Sequence, residues 1–396
     1  MNWKKVFLIS LVLVIFVTAC EVFEPAALAE NELLDGPING LSEGENRIFL
    51  LGDIAFNDDV FTPATGLGPI FVATSCGSCH AGDGKGHPFT TLTRFGQIDG
   101  SGNKFLDLGG PQLQHRAIPG FIPEQIPAGA TSAKILPPAN TGLGFFDFVS
   151  DADILEREDP TDADADGISG VANRIDLKEY VTPRPNSITN FGRYVGRFGK
   201  KASTYDLLQQ TAQAYNQDIG ITSTFEPKDP HSGLSIDPEV SDKTIHDVVF
   251  YLQTLKVPAP RETQAALDGK IIFENIGCEK CHRAEWQTGA TPIAALSNKT
   301  FYPYTDLLLH DMGPGLDDGY TEGSAATSEW RTPALWGLGL SKNSQGGSYF
   351  LLHDGRARSI EEAIQLHGGE GQNSREAFLN LSDGDKKKLV KFLESL

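Results

Sequence analysis

Cysteine and methionine are scarce in this chain. Among its 396 residues there are five cysteines and two methionines, one of which is the first residue. Four of the cysteines fall in two short runs, and the fifth, Cys20, ends an apolar stretch near the N-terminus. No cysteine is left over to form a disulfide or to serve as a catalytic thiol. A disulfide-stapled scaffold and a thiol enzyme are therefore both excluded.

The two cysteine runs share the pattern C-x-x-C-H, at Cys76–His80 and Cys278–His282. In a c-type cytochrome the two thiols of this pattern add to the haem vinyl groups, and the histidine becomes the proximal iron ligand. A zinc site built from the four cysteines would leave His80 and His282 without a role. The pattern therefore predicts two covalently bound c-type haems. The predicted haem-binding residues are Cys76, Cys79, His80, Cys278, Cys281 and His282.

The N-terminus carries a long apolar run, residues 6–19, after a short basic start. This run is too short to span a bilayer comfortably, but it suits the core of a signal peptide. It ends in Val-Thr-Ala-Cys20, which resembles a bacterial lipobox. An ordinary signal peptide with an incidental cysteine is the alternative. We expect a lipoprotein signal at residues 1–20 and an acidic tether at 21–45. The body would then be lipid-anchored in the bacterial cell envelope, on the periplasmic or cell-surface face of a membrane.

Basic residues are few, with 33 Lys and Arg against 52 Asp and Glu, which gives a formal net charge of −19. Nucleic acid is therefore excluded as an expected partner. An acidic surface suits a basic electron-donor protein such as a small cytochrome, although charge in loops also serves solubility. The chain is longer than one core usually serves, so more than one domain is expected. Its 42 glycines and 23 prolines indicate long loops.

A degenerate internal repeat divides the chain into two halves. A proline segment follows each cysteine run, at residues 138–145 and 333–340. Each half ends in a segment that starts with Ser-Asp and has apolar residues at helical spacing, at 241–255 and 382–396. Such closing helices pack near the haem in class I cytochromes c. We therefore predict a mainly α chain with two cytochrome c-like haem domains, at 46–258 and 262–396. The first would contain insertions, and long loops would occur throughout.

Several stretches resemble a known family. CGSCHAGDGKG (76–86), TDLLLHDMGPGLDDG (305–319) and LHDGRARSIEEAIQLHGGEG (352–371) are similar to bacterial di-haem c-type oxidoreductases. This peroxidase-like, thiol oxidoreductase-like group is related to the di-haem cytochrome c peroxidases. The resemblance implies a mostly helical, two-domain di-haem fold. We predict an oxidoreductase in which electrons pass through a six-coordinate haem to a peroxidase-like haem that reacts with peroxide or another small oxidant. A pure electron-transfer cytochrome, and an oxygenase or protein-modifying oxidase on the same scaffold, are the alternatives.

The resemblance also concerns the sixth ligand of the second haem iron. In the related peroxidases this ligand follows an H-D-G-R…L-E-E-A segment, and the corresponding residue here is His367. We expect His282 and His367 to ligate this iron, with Met312 as the alternative sixth ligand. A second histidine would lower the reduction potential and a methionine would raise it.

For the haem of His80 we expect an open or water-bound distal position, with His115 as the alternative ligand. Peroxide chemistry needs such a position and an acid–base group beside it. Asp147 and Glu156 are acidic residues in the relevant segment. Candidates to pair with haem propionates or to shape the haem pocket are Arg331, Arg356, His310 and His353.

An acidic loop contains the pattern D-x-D-x-D-G, formed by Asp162, Asp164, Asp166 and Gly167. Alternate carboxylates followed by glycine match the start of a calcium-binding loop. The twelfth position is Asn173 instead of the glutamate of an EF-hand. The related di-haem peroxidases hold calcium between their haem domains. We expect Asp162, Asp164 and Asp166 to bind calcium, with a solvated acidic turn as the alternative.

Protein matured in a bacterial host that assembles c-type cytochromes should carry two covalently added haems, measured by intact-mass analysis. Replacing Cys278 and Cys281 by serine should leave one, because the first cysteine run remains complete. Wild-type protein without any added macrocycle would contradict the c-type interpretation.

Overall fold

The structure is a computed structural model that describes residues 34–96, 104–261 and 263–396. The predicted signal peptide, Cys20 and part of the predicted tether lie outside the described residues. Helices make up 33% of the structure and strands 12%. Long loops are therefore present as predicted, whereas the prediction of a mainly α chain is not confirmed. Within the described ranges, no helix combines the length and the apolar character needed to cross a bilayer.

Ten α-helices and ten short strands occur in the described residues. The helices are α1 (Glu43–Asp53), α2 (Leu143–Asp147), α3 (Asp151–Leu155), α4 (Leu207–Ile219), α5 (Asp242–Thr254), α6 (Gln264–Asn275), α7 (Ser341–Ser344), α8 (Ile360–Gln365), α9 (Gln372–Leu379) and α10 (Asp383–Ser395). The strands are β1 (Ile70–Phe71), β2 (Leu92–Gly96), β3 (Arg116–Ala117), β4 (Thr131–Ile135), β5 (Arg174–Ile175), β6 (Tyr194–Val195), β7 (Trp286–Gln287), β8 (Thr300–Phe301), β9 (Leu309–Asp311) and β10 (Glu329–Arg331).

The strands pair antiparallel in separate two-stranded sheets: β1 with β3, β2 with β4, β5 with β6, β7 with β8, and β9 with β10. The longest pair, β2 and β4, aligns Leu92 with Ile135 and Gly96 with Thr131. The other strands have only two or three residues. Strands this short cannot show the alternation of apolar and polar residues that identifies a strand, which explains the weak strand signals of the sequence.

In each half, the helix before the cysteine run packs against the closing helix. Helix α1 packs against α5, and α6 packs against α10. Both closing helices begin at the predicted cap. Ser241 Oγ accepts a hydrogen bond from Thr244 N at 3.1 Å, and Ser382 Oγ accepts one from Asp385 N at 3.2 Å. These bonds satisfy amide groups that the first turn of a helix leaves without a partner.

A glycine lies at each of these helix crossings. A Cβ atom on Gly52 of α1 would overlap the carbonyl oxygen of Asp247, and one on Gly269 of α6 would overlap that of Lys388. Asp247 and Lys388 are the sixth residues of α5 and α10. The two crossings are thus equivalent, and backbone touches backbone in both.

The proline segments complete the repeat. A Cβ atom on Gly144 would overlap the carbonyl oxygen of Gln253, and one on Gly339 would overlap that of Glu394. Gln253 and Glu394 again occupy equivalent positions, near the ends of α5 and α10. The internal repeat in the sequence therefore corresponds to a repeated packing arrangement, in which a glycine of each proline segment rests on the closing helix.

Apolar side chains form two main clusters. The larger contains Phe49 and Tyr251 of the first half together with Trp286 and Trp336 of the second. The smaller lies around the crossing of α6 and α10. The larger cluster joins residues from both halves, and residues 34–396 form one compact unit. The boundary predicted between residues 258 and 262 therefore stays a prediction.

Gly52→Ala and Gly269→Ala should each lower the free energy of unfolding by about 1–3 kcal/mol, because an added methyl group forces the crossing helices apart. Gly289→Ala is the matched control, since a Cβ atom there would meet nothing within 4 Å. Chemical denaturation followed by circular dichroism measures the difference. Equal effects at Gly289 and at the crossings would contradict the packing argument.

Candidate functional site

Each cysteine run folds into a helical turn. His80 N donates to Cys76 O at 3.0 Å, and His282 N donates to Cys278 O at 2.9 Å. All four cysteines of the runs are free and partly buried. Burial raises the pKa of Cys76 and of Cys278 to about 12, so both thiols are protonated at neutral pH. Within the described residues, the four sulfur atoms do not come close enough together to share one ion, which argues against a four-cysteine zinc site.

The two histidines of the runs are oriented in the same way. His80 Nδ1 donates to the backbone oxygen of Pro138 at 2.9 Å, and His282 Nδ1 donates to that of Tyr304 at 2.9 Å. Burial lowers the pKa of both rings to about 4, so both are neutral. With the proton held on Nδ1, the lone pair of Nε2 is available to a metal. Both rings are therefore prepared to ligate a haem iron.

A third histidine, His367, has the same arrangement. Its Nδ1 donates to Ala363 O at 2.7 Å, and burial lowers its pKa. It lies close enough to His282 to contribute, after burial, to the lowered pKa of that ring. Met312 is nearby as well, because a Cβ atom on Gly371 would lie 3.2 Å from His367 Cδ2 and 3.4 Å from Met312 Cε. The structure thus brings both predicted sixth ligands to one place.

Two other histidines are occupied by carboxylates. His310 donates to Asp306 at 2.8 Å and to Glu370 at 2.6 Å, so both of its ring nitrogens are engaged. Although burial opposes it, Asp306 and Cys281 hold the pKa of His310 well above its ordinary value. His353 Nε2 donates to Asp318 at 2.9 Å. In both histidines Nε2 is bonded to a carboxylate, whereas His80, His282 and His367 bond through Nδ1 and leave Nε2 free.

Three cations lie together between the two halves. Burial, Lys85 and Arg331 lower the pKa of Lys200 to about 7, and Asp354 opposes them. Burial lowers the pKa of Lys85 to about 8 and that of Arg331 to about 10. Lys200 also contributes to the lowered pKa of His80. Lys85 and Arg331 thus disfavour the charged form of Lys200, and an anion beside Lys200 would have the opposite effect.

The other predicted propionate partner, Arg356, is already satisfied. Its guanidinium pairs with Asp354 at 2.7 Å and lies 3.4 Å from Asp318. The sequence did not single out Lys85 or Lys200. No local pattern marks them, because their common location arises only when residues distant in the chain meet.

Neither predicted acid–base candidate is a buried, unpaired carboxyl group. Asp147 is paired with Arg184 at 2.7 Å and accepts a hydrogen bond from Gln253, and the side chain of Glu156 is exposed. Glu124, which the sequence did not indicate, is half-buried, and burial raises its pKa to about 7. Its carboxylate accepts a hydrogen bond from Gln114 N at 2.7 Å.

Glu124 belongs to the region of the first cysteine run. The Gln114 side chain donates to Gln217 O at 3.0 Å, at the end of α4. The next residue, Asp218, accepts a backbone hydrogen bond from Val72 N at 2.7 Å, just before the run. Burial raises the pKa of Asp218 to about 6, and its charge contributes to the raised pKa of Cys76. Two carboxyl groups with raised pKa values therefore lie in this region.

The acidic loop is arranged differently from the prediction. The carboxylates of Asp159, Asp162 and Asp164 come within 4.8 Å of one another. Asp166 is instead paired with Lys280 at 2.9 Å, within the second cysteine run. The predicted trio is therefore not brought together, and the third carboxylate of the cluster is Asp159.

This geometry, with two C-x-x-C-H turns and a repeated helix crossing, fits a di-haem fold. Residues 132–396 match the family described as "Di-haem oxidoreductase, putative peroxidase". The chain belongs to this family, which implies haem cofactors. The resemblance noted from the sequence is thereby confirmed.

Two solved structures are similar to this chain at low identity. Kuenenia stuttgartiensis hydrazine synthase, in a structure pressurised with xenon, is 14% identical, with a TM-score of 0.40 and 94% of each chain covered. A MauG-like protein associated with microbial copper homeostasis is 14% identical, with a TM-score of 0.41, and 94% of this chain and 95% of that one are covered. No curated protein matches the chain.

His367→Ala should remove the bis-histidine signal that we expect in the electron paramagnetic resonance spectrum of the oxidised, haem-loaded protein, because the variant lacks the expected sixth ligand. His246→Ala, an exposed position on α5, is the control and should leave the spectrum unchanged. A bis-histidine signal that survives in His367→Ala would show that another residue is the sixth ligand.

Proposed function

We propose that this protein is a di-haem c-type oxidoreductase that takes electrons from a donor protein and reduces peroxide or another small oxidant. The observation that carries the proposal is the shared state of His80, His282 and His367. Each ring is neutral and donates from Nδ1 to a backbone carbonyl, which leaves Nε2 for iron. Bound haem would supply the one-electron chemistry.

In this proposal the helix crossings are the cores of two cytochrome c-like domains, at 46–258 and 262–396. Cys76 and Cys79 would hold one haem and Cys278 and Cys281 the other, through thioether bonds to the vinyl groups. Lys85, Lys200 and Arg331 would neutralise propionates between the two halves. The lowered pKa of Lys200 would then rise on haem binding, because an anion favours the charged ammonium.

The two iron sites would differ in access. His367 lies beside His282 and would close that site as a sixth ligand. Neither His87 nor His115 repeats the buried arrangement of His367, although His115 also hydrogen-bonds to the backbone of Leu113. His87 Nδ1 accepts a hydrogen bond from Phe89 N, and His115 is exposed. The His80 side is therefore the one proposed to remain open to a small oxidant.

Glu124 is the proposed proton-transferring group on the open side. A carboxyl group whose pKa is about 7 can accept and return a proton near neutral pH, which suits general acid–base catalysis. Asp218, with a pKa of about 6, is the alternative in the same region. Gln114 N, bonded to the Glu124 carboxylate, would fix its position.

The proposed cellular location, electron donor and calcium site rest on sequence features. Cys20 would be lipidated and would tether the protein to a membrane of the bacterial cell envelope, outside the cytoplasm. The net charge of −19 suits a basic electron donor such as a small cytochrome. Calcium at the acidic loop stays a prediction, with Asp159 in place of Asp166 beside Asp162 and Asp164. Metal analysis of the purified protein can test it.

Glu124→Gln should lower the rate of peroxide reduction by about 100-fold or more while the haem content stays unchanged. In the wild type, the rate should rise with pH through about 7, because only the deprotonated carboxylate can accept a proton, and this rise should vanish in the variant. Stopped-flow measurements with a chemical reductant give both values.

Glu156→Gln is the matched control, because that carboxylate is exposed. A loss of rate in Asp218→Asn but not in Glu124→Gln would assign the role to Asp218. If both irons of the oxidised wild type are low-spin, and neither cyanide nor peroxide changes the spectrum, the peroxidase proposal is wrong and a pure electron carrier is favoured.

A further inference from the structure

Glu370 lies three residues after His367 and is held by groups from two separate parts of the chain, residues 169–170 and 310–311. It accepts hydrogen bonds from His310 Nδ1 at 2.6 Å, Ser169 Oγ at 2.5 Å and Asp311 N at 3.3 Å. Gly170 N lies 3.4 Å from the same carboxylate. Four donors on one carboxylate fix its position far more tightly than a single surface ion pair would.

His310 is itself fixed. Its side chain is 4% exposed, and its Nε2 donates to Asp306, whose side chain is 3% exposed. Its Nδ1 also lies 3.6 Å from the sulfur of Cys281, in the second cysteine run. The row Asp306, His310 and Glu370, here called the clamp, therefore connects the haem attachment site to the segment that follows His367.

The segment between α8 and α9 needs such an anchor. It reads Leu-His-Gly-Gly-Glu-Gly from residue 366 to 371, with three glycines and no helical hydrogen bonding beyond a single turn. Glycines leave a backbone many conformations to choose from. Gly369 has φ +51°, and a Cβ atom on it would overlap Asp311 O. The segment is thus pressed against the end of β9, where only glycine fits.

Met312 follows directly on that strand end, and its methyl group lies beside His367 at Gly371. Two groups able to ligate iron therefore lie side by side, one on the clamped segment and one next to β9. A neutral imidazole and a thioether at the same iron would give different reduction potentials, the thioether the higher. Some interaction must decide between them.

We propose that Glu370 is a positioning residue that selects His367 over Met312 as the sixth ligand of the His282 haem. The clamp holds the glycine-rich segment in the one conformation that presents His367, and Met312 is left to pack against Trp330 and its neighbours. Ser169 and Gly170 extend this control to the acidic loop, so the first half of the chain takes part in setting the ligand of the second. This inference rests on the ligand assignment in the proposed function.

Glu370→Ala, prepared as the full-length haem-loaded protein, tests the proposal. Asp306 still pairs with His310 in this variant, so no buried charge is left alone. The ratio of methionine-ligated to histidine-ligated haem should rise by about tenfold or more, the effect of losing a charge-assisted hydrogen bond. The bis-histidine resonance should shrink, a thioether–iron charge-transfer band should appear in the near-infrared, and the reduction potential of this haem should rise.

Glu376→Gln is the matched control, since that glutamate sits on α9, is 54% exposed and does not contact His310. In Glu370→Ala combined with Met312→Leu the new band should vanish. If Glu370→Ala fails to load haem, Ser169→Ala removes only one of the hydrogen bonds to Glu370. We then expect a smaller rise in the ratio of methionine-ligated to histidine-ligated haem.

The outcomes separate the inference from the function. If the wild type shows no bis-histidine signal, the assignment of His282 and His367 as ligands of one iron is wrong. A bis-histidine wild type with unchanged Glu370→Ala and Ser169→Ala spectra overturns the clamp and leaves the function standing. A high-spin Glu370→Ala haem without a thioether band shows that Met312 is no competitor, which overturns the selection.

Discussion

The hydrogen bond from Nδ1 of a histidine to a backbone carbonyl is the interaction on which the candidate centre depends. It holds the single N–H proton of the neutral ring on Nδ1, which leaves the lone pair of Nε2 available to a metal. It also fixes the orientation of the ring plane. His80 and His282 obtain this bond from carbonyls far along the chain, Pro138 and Tyr304, each of which follows a proline. His367 obtains it from its own helix, at Ala363. Loops that pass beside the cysteine runs are therefore part of the site.

Close backbone contacts at the helix crossings fix the positions of the loops beside the cysteine runs. Gly52 and Gly269 let the helix before each cysteine run touch its closing helix, and Gly144 and Gly339 let each proline segment rest on the same helix. Four glycines thus set the distances between the parts of both halves. The tight packing also explains why a chain with only a third of its residues in helices still holds its histidines in defined places.

Charge is distributed unevenly in the protein. The chain as a whole is strongly acidic, yet Lys85 and Arg331 lie close enough to Lys200 to lower its pKa. At the second cysteine run the opposite occurs, since His310 and Lys280 each meet carboxylates. The cations around Lys200 would suit the anionic propionates of a haem. The cations at the second cysteine run are paired with carboxylates, which would hold the segment around His367 in place.

Local patterns in the sequence were enough to indicate the two C-x-x-C-H runs, the repeat and the closing helices, because each depends on residues a few positions apart. The choice of His367 or Met312 rested on a resemblance, and no local pattern favours one over the other. The sequence named His310, but it did not indicate its partners Asp306 and Glu370, nor Glu124, Asp218, Lys85 and Lys200. Their properties come from burial and from partners up to 201 residues away, such as Ser169 for Glu370. Only the folded chain decides which distant groups share a low-dielectric environment.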